Sequence, residues 1–331
     1  MSAWEGKRVL VTGGTGFVGS FIVRALVKMG ADVCMYTRFK AEDASETVGN
    51  VLEKIKIAWG DLSDLDGMQK ALKETEPDII YNAGAVTRVP YSFERPFETL
   101  NTNVNALLAI LEYCRNHDVE RMIQFGTSEE YGNTDLEYLP FKENAPLVAG
   151  SPYAVSKIAC DNLCQVYHKS YKVPVVIARC FNTYGKRHYD TRNVIEKTIE
   201  RALTRDVIEL GTPDPTRDFT YIDDVVEAYL ILGSDKKAVG EIFNICSGKE
   251  YTIKETVEKI VELVGRNVEV KWNAFPPRPN EVWRLCGDNT KMKKFFGWEP
   301  KIGLEEGLKR TIETWKNLVE WRKERWNNTT K

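Results

Sequence analysis

The chain has 331 residues, 43% of them hydrophobic and 28% charged, with 46 Lys and Arg against 48 Asp and Glu and a formal net charge of −2. This is the composition of an ordinary globular protein long enough for two domains, and the balanced charge leaves no polybasic footprint for nucleic acid or an anionic membrane. No apolar run reaches membrane-spanning length, MSAWEGKRVLVTGG enters a strand without a signal-like apolar segment, and seven cysteines with no CxxC pattern point to reduced thiols in the cytoplasm.

Short β-branched runs alternate with helical patterns through the first half. KRVLVTG reads as a strand, FVGSFIVRALVKMG as a helix and DVCMY as a second strand. IKIAWGD, a polar helix over 64–75 and DIIYNAG follow, then a long helix over 101–117, the strand RMIQFGT, a helix over 152–171 and the strand VPVVIARCF. Strand–helix alternation at this spacing predicts an α/β fold, a doubly wound parallel sheet with helices on both faces. Beyond residue 183 prolines and polar loops separate helices expected at 192–205 and 252–264, which predicts a smaller, loop-rich second domain over 184–331. Residues 217–245 are expected to return to the first domain, 1–183. A charged helical tail follows Trp315, fraying at NNTTK.

Cys160 and Cys164 lie four apart on a helix, where packing explains them. His117, His168 and His188 share no ligand spacing, so no metal site is expected.

VTGGTGFVGS holds Gly13, Gly14, Gly16 and Gly19 between a strand and a helix that opens on Phe17 and Val18. In a βαβ setting, glycines there let the backbone turn tightly and approach a pyrophosphate at the helix N-terminus, as a Rossmann dinucleotide site requires. An acidic residue after the second strand would hold the ribose hydroxyls of NAD. Here the strand exits into Thr37 and Arg38, whose planar guanidinium suits the 2′-phosphate of NADP, and NADP is preferred to NAD.

Tyrosine precedes lysine by four residues at Tyr36/Lys40, Tyr138/Lys142 and Tyr153/Lys157. The first starts in a strand and the second contains Pro140. Only Tyr153/Lys157 lies in the first turns of a good helix, with Ser151 as N-cap and Pro152 at the first position, so both side chains share one face. An ammonium there favours the phenolate. Moving a tyrosine from its reference near 10 to about 7 takes roughly 4 kcal/mol of differential stabilisation.

Together these motifs resemble the extended short-chain dehydrogenases/reductases that act as nucleotide-sugar epimerases and dehydratases. The resemblance implies cofactor contacts at Gly13, Gly16, Phe17, Val18, Gly19, Thr37, Arg38, Asp61, Leu62, Ala83, Ala85 and Asn103, with Tyr153 and Lys157 as the catalytic pair. It implies that residues 184–331 bind a nucleotide-diphosphate sugar, with contacts from Arg88, Asn182 in RCFNTYG, Arg217 in TRDFTYIDD, and Arg278 and Glu281 in PPRPNEV. It also implies a homodimer through the helices at 103–116 and 153–169, on Leu107, Leu108, Ile110, Leu111, Ile158, Leu163 and Val166.

TSEEYG, after the strand RMIQFGT, resembles the Thr-Ser-Glu triplet of GDP-mannose-type 4,6-dehydratases, which implies Thr127, Ser128 and Glu129 as catalytic residues. Glu130 is then expected to face away from the sugar. A 4-epimerase is the alternative, and a UDP-glucuronate-type decarboxylase, which carries a similar triplet, is the third.

Overall fold

The strands β1 (Arg8–Thr12), β2 (Asp32–Thr37), β3 (Lys56–Trp59), β4 (Ile79–Asn82), β5 (Arg121–Thr127), β6 (Val175–Cys180) and β10 (Ile242–Ile245) pair in parallel in the order β10-β6-β5-β4-β1-β2-β3. This is a computed structural model, and it describes residues 2–38, 47–188 and 190–329, with side chains through Arg322. Strands buried on both faces need continuous apolar runs, and all seven residues of β5 are buried. Alternation along β1 serves two cores: Val9 and Val11 join one cluster, and Leu10 joins the other.

The helices α1 (Phe17–Lys28), α2 (Leu65–Thr75), α3 (Val89–Glu94), α4 (Pro96–Asn116) and α5 (Pro152–Tyr171) connect the first strands. Helices α2, α4 and α5 pack with Leu10, Ile80, Cys160 and Cys164 on one face. On the other face α1 packs against α7 (Ile222–Ser234). The chain runs outward from β1 to β3 and then crosses back to β4, which leaves a crevice beyond the carboxyl ends of β1 and β4, the position where such sheets bind ligands.

Strands β7 (Asn182–Tyr184), β9 (Thr216–Tyr221) and β11 (Glu250–Thr252) form a three-stranded sheet, and β8 (Val207–Glu209) pairs with β12 (Glu269–Lys271). Around them lie α6 (Val194–Thr204), α8 (Ile253–Val264), α9 (Thr290–Phe296) and α10 (Leu304–Thr329). Of the segment expected to return to the large sheet, 242–245 pairs with β6, while 216–221 belongs to the small one.

Local chemistry sets the boundaries. Ser151 Oγ accepts from Ala154 N–H at 3.1 Å and Pro152 opens α5. Helix α4 begins five residues before the expected 101, because Pro96 supplies an N1 position there. Helix α10 runs to Thr329, into the segment where fraying is expected, and 330–331 lie outside the described residues. Leu107, Ile110 and Leu111, expected at a dimer face, are 0% exposed because they fill the core between α4 and the sheet. Leu108, Ile158 and Leu163 are half-buried, and Val166 is exposed. No described helix is long and apolar enough to cross a membrane.

Candidate active site

A cleft of about 750 Å³ opens at the crevice between β1 and β4. Gly13, Gly16, Phe17, Val18, Gly19, Thr37, Arg38, Asp61, Leu62, Ala83 and Ala85 all line it, as do Tyr153 and Lys157. The loop is built for close approach. Gly13 sits at φ +65°, and a Cβ on it would lie 2.7 Å from the Gly84 backbone, so any side chain would force the β1 and β4 loops apart. Thr12 Oγ1 donates to Asn82 Oδ1 at 2.8 Å and accepts from Gly84 N–H at 2.9 Å, tying the two loops together. Gly16 caps α1 without a side-chain bond, which leaves the first-turn N–H groups available to a phosphate. These residues fit a dinucleotide.

Asn103 does not line the cleft. Its Oδ1 accepts from Val86 N–H at 2.8 Å, while its Nδ2 donates to Val86 O at 3.1 Å and Ser156 Oγ at 2.9 Å. It therefore holds the loop after β4 against α5. Arg38 is 3.3 Å from Asp61. Burial pushes the Asp61 carboxyl up, but bonds from Ser63 and Arg38 outweigh it and leave the group below its ordinary value.

A second cleft of about 1600 Å³ adjoins the first, and Thr127, Tyr153, Cys180 and Phe181 border both. Lys157 faces the first cleft alone, and Ser128 and Glu129 face the second alone. The β5 exit makes this division. Thr127 caps a single 3₁₀ turn: Glu130 Oε1 accepts from Thr127 N–H at 2.8 Å, and Thr127 Oγ1 accepts from Glu129 N–H at 3.3 Å. Glu129 is left half-buried at the cleft, and Glu130 turns inward.

Lys157, 4% exposed, donates to Phe125 O at 2.7 Å, which fixes the ammonium at the strand end. Burial pushes the Tyr153 phenol above its ordinary value, while a hydrogen bond with Thr127 pulls it down. Of the other Tyr/Lys pairs, Tyr36 lies in β2 and Lys40 falls outside the described residues, while Tyr138 ends a short turn before Pro140.

Arg88, Asn182, Arg217 and Arg278 all line the second cleft. Glu281 does not, but accepts from Arg217 Nη2 at 3.2 Å and from Arg278 N–H at 3.4 Å, so it orients the Arg217 guanidinium and holds the Arg278 backbone. Burial lowers the Arg217 guanidinium below its ordinary value, and Glu129 and Glu281 oppose this. Sequence reasoning missed Cys180 and Tyr229 in the cofactor cleft, and Arg187, His188 and Lys197 in the second. Only RCFNTYG, already flagged for Asn182, could have pointed to Cys180. Among the described residues no group of three His, Cys, Asp or Glu could hold a metal ion.

A family profile described as GDP-mannose 4,6 dehydratase matches residues 10–311. The chain is 34% identical over 330 residues to a dTDP-D-glucose 4,6-dehydratase of Bos taurus, covering 96% of this chain and 91% of that one. Its fold is similar to a UDP-glucose 4-epimerase of Thermotoga maritima solved with UDP-glucose, at a TM-score of 0.86 and 28% identity, covering 94% of this chain and 99% of that one. It is also similar to a dTDP-glucose 4,6-dehydratase of Bacillus anthracis solved with NAD, at a TM-score of 0.84 and 26% identity, covering 95% and 97%.

Proposed function

Because the chain belongs to the GDP-mannose 4,6-dehydratase family, within the extended short-chain dehydrogenases/reductases that act on nucleotide sugars, we propose that it is a nucleotide-sugar 4,6-dehydratase forming a 4-keto-6-deoxy product. The observation that carries this reading is the division of labour at the β5 exit. Thr127 and Tyr153 border both clefts, Lys157 stands on the cofactor side, and Glu129 is the carboxylate that β5 delivers to the sugar side.

A bound nicotinamide supplies a hydride acceptor that takes the C4 hydride and returns it at C6. Tyr153 removes the proton of the sugar 4-hydroxyl, and Thr127 donates a hydrogen bond to the oxygen that becomes the ketone. The ketone acidifies C5–H, and Glu129 takes that proton. Glu129, with Ser128 beside it, then protonates the hydroxyl that leaves C6 as water. As the hydride returns at C6, a solvent proton relayed through the same carboxyl restores C5–H, while Tyr153 releases the 4-hydroxyl proton to solvent. Arg88, Asn182, Arg217 and Arg278 hold the diphosphate, with Glu281 orienting the Arg217 guanidinium and holding the Arg278 backbone. Their fixed positions keep C4 over Tyr153 through both hydride transfers.

NADP is the proposed cofactor. Thr37 and Arg38 stand where β2 ends, and a 2′-phosphate offers Arg38 a doubly charged partner in place of Asp61. NAD is the alternative. The proposed assembly is a homodimer through the outer face of α4 and α5, where Val155 and Val166 of α5 are exposed and Leu108 of α4 is half-exposed. The proposed location is the cytoplasm.

The 4-epimerase is the second reading, favoured by the likeness to the Thermotoga maritima enzyme. It needs Thr127, Tyr153 and Lys157 but gives Glu129 no task. Incubation with UDP-, GDP-, CDP- and dTDP-hexoses, followed by mass spectrometry, separates the two: loss of water supports the dehydratase, and an isomer of unchanged mass supports the epimerase.

A further inference from the structure

Three ionisable side chains meet in the dry interior behind Thr127. Glu130 on the 3₁₀ turn and Asp161 on α5 are 0% exposed, and Arg179 on β6 is 2% exposed. Arg179 Nε lies 2.9 Å from Asp161 Oδ2 and 3.2 Å from Glu130 Oε2. Its Nη1 is occupied elsewhere, donating to the Tyr131 hydroxyl at 3.1 Å and to Glu143 O at 3.0 Å. One guanidinium therefore faces two carboxyl groups. With both ionised, the cluster would hold one negative charge more than its guanidinium cancels, at a cost of several kcal/mol, since Lys157, the buried cation nearby on α5, is committed to Phe125 O. Glu130 Oε2 and Asp161 Oδ1 also have no hydrogen-bond partner among the described residues. Because both carboxyls converge on the same Arg179 Nε, a single proton held between them removes the excess charge.

We infer that Glu130 and Asp161 share one proton as a buried carboxyl–carboxylate pair, and that Glu130 thereby acts as the positioning residue for Thr127 and keeps excess negative charge away from Tyr153. The inference rests, for its catalytic half, on the reading of Tyr153 as the base. Burial pushes Glu130 well above the ordinary carboxyl range; Asp161 adds to this, and Arg179 opposes it. The positioning is geometric. Glu130 Oε1 holds Thr127 N–H at 2.8 Å, while Asp161 sits one helical turn beyond Lys157 and two beyond Tyr153, so the shared proton ties the β5 exit to the helix that carries the catalytic pair. Gly126 makes room for it, since a Cβ there would lie 2.9 Å from Glu130 Oε1 and 3.0 Å from Arg179 Cγ.

Several charged and titratable groups face this cluster: Arg179 from β6, Tyr153, Lys157, Cys160 and Asp161 from α5, Tyr229 from α7, Glu129 and Tyr131 from its own segment, and Glu143 through Arg179. Loss of the shared proton would place a full negative charge beside Tyr153 and disfavour its phenolate. Glu130→Gln preserves the neutral state: its amide oxygen accepts from Thr127 N–H, and its amide N–H₂ donates to Asp161. Glu130→Leu keeps similar bulk and loses both bonds.

Two readouts test this. Infrared spectroscopy of the full chain should show the carbonyl stretch of a buried protonated carboxyl, lost in both Glu130→Gln and Asp161→Asn; this holds whatever the enzyme's substrate. In single-turnover reduction of the bound nicotinamide by nucleotide sugar, Glu130→Gln should keep the acid limb of the pH–rate profile within about 0.3 unit of wild type, because a neutral group replaces a neutral group. Glu130→Leu should lower kcat by about tenfold or more with KM within about threefold, the mark of a misplaced Thr127. A wild-type spectrum without the band, or a band that survives in both amide variants, overturns the shared proton. A downward shift of the acid limb by about half a unit or more in Glu130→Gln shows that Glu130 was ionised and also overturns it. A Glu130→Leu enzyme as fast as wild type overturns the positioning role. A wild-type enzyme that turns over no nucleotide sugar yet shows the band, lost in both variants, would sink the functional reading and leave the proton pair standing.

Discussion

Glu129 and Glu130 are consecutive residues with opposite fates: Glu129 lines the sugar-side cleft, and Glu130 is fully buried 3.2 Å from Arg179. A single 3₁₀ turn capped by Thr127 separates them. The proposed reaction uses a carboxylate in the cleft that can accept and return a proton, whereas the interior tolerates one only when its charge is cancelled.

That burial has a pH signature. Glu130 in the folded chain lies above its ordinary value, so between about 4.3, the unfolded reference, and the raised value the folded state keeps a proton that the unfolded chain releases. Stability is then full below the unfolded value and falls as pH rises, by up to about 1.4 kcal/mol per unit. Asp218, pushed up to about 6 by burial, adds a similar fall in wild type and variant alike. Urea midpoints of wild type and Glu130→Gln between pH 5 and 8 should diverge, with the variant declining less. Parallel curves would mean that Glu130 carries no extra proton.

Cofactor preference rests on Arg38. Arg38→Ala should weaken NADP binding by about 1.5–3 kcal/mol, the range of a hydrogen bond to a charged group, and change NAD binding little. Titration of the bound nucleotides by fluorescence checks this, and equal losses for both, or none, would remove Arg38 from the 2′-phosphate contact.

The catalytic pair divides its work. Tyr153→Phe removes the base and should slow reduction of the bound nicotinamide by about 10²–10⁴-fold. Lys157→Met should also slow it, since the ammonium that donates to Phe125 O is lost. Stopped-flow absorbance with saturating nucleotide sugar measures both. Wild-type rates in Tyr153→Phe would place the base elsewhere.

Assembly is tested on exposed residues. Val166→Lys, at a side chain 53% exposed, should yield a monomer by light scattering with unchanged thermal stability of the subunit. A dimer that persists in this variant and in Val155→Lys would move the interface to another face.

Most of the large sheet was legible in the sequence because its strands are buried on both faces and its glycine loop permits few alternatives. The helix beginning at Ser151 was read to the residue, since Ser-Pro is an N-cap signal with a mechanism. Three residues expected at the dimer face fill the core instead, because an apolar stripe on α4 serves the intramolecular core first: Leu107, Ile110 and Leu111 show the same periodicity whichever surface they bury. That the residues at the ends of β1, β2 and β4 line one cleft was legible, because each follows a strand, whereas Arg187, His188 and Lys197 reach the second cleft only through the packing of β7, β9 and α6. Nor could the sequence reveal Asn103 as a brace or Glu281 as an orienting group, because both act on partners distant along the chain. Arg179 lies about fifty residues from Glu130, and nothing local joins them.

The central claim is that Glu129 removes the C5 proton, and Glu129→Gln tests it most directly. The variant keeps the shape of the site, so cofactor and nucleotide sugar should bind, and oxidation at C4 through Tyr153 and Lys157 should still produce the absorbance of reduced nicotinamide. Mass spectrometry in deuterated water should then show neither deuterium entering at C5 nor loss of water, with dehydration reduced by about 10²–10⁴-fold, as expected on removal of a general base. A variant that dehydrates the sugar at near wild-type rate would contradict the account.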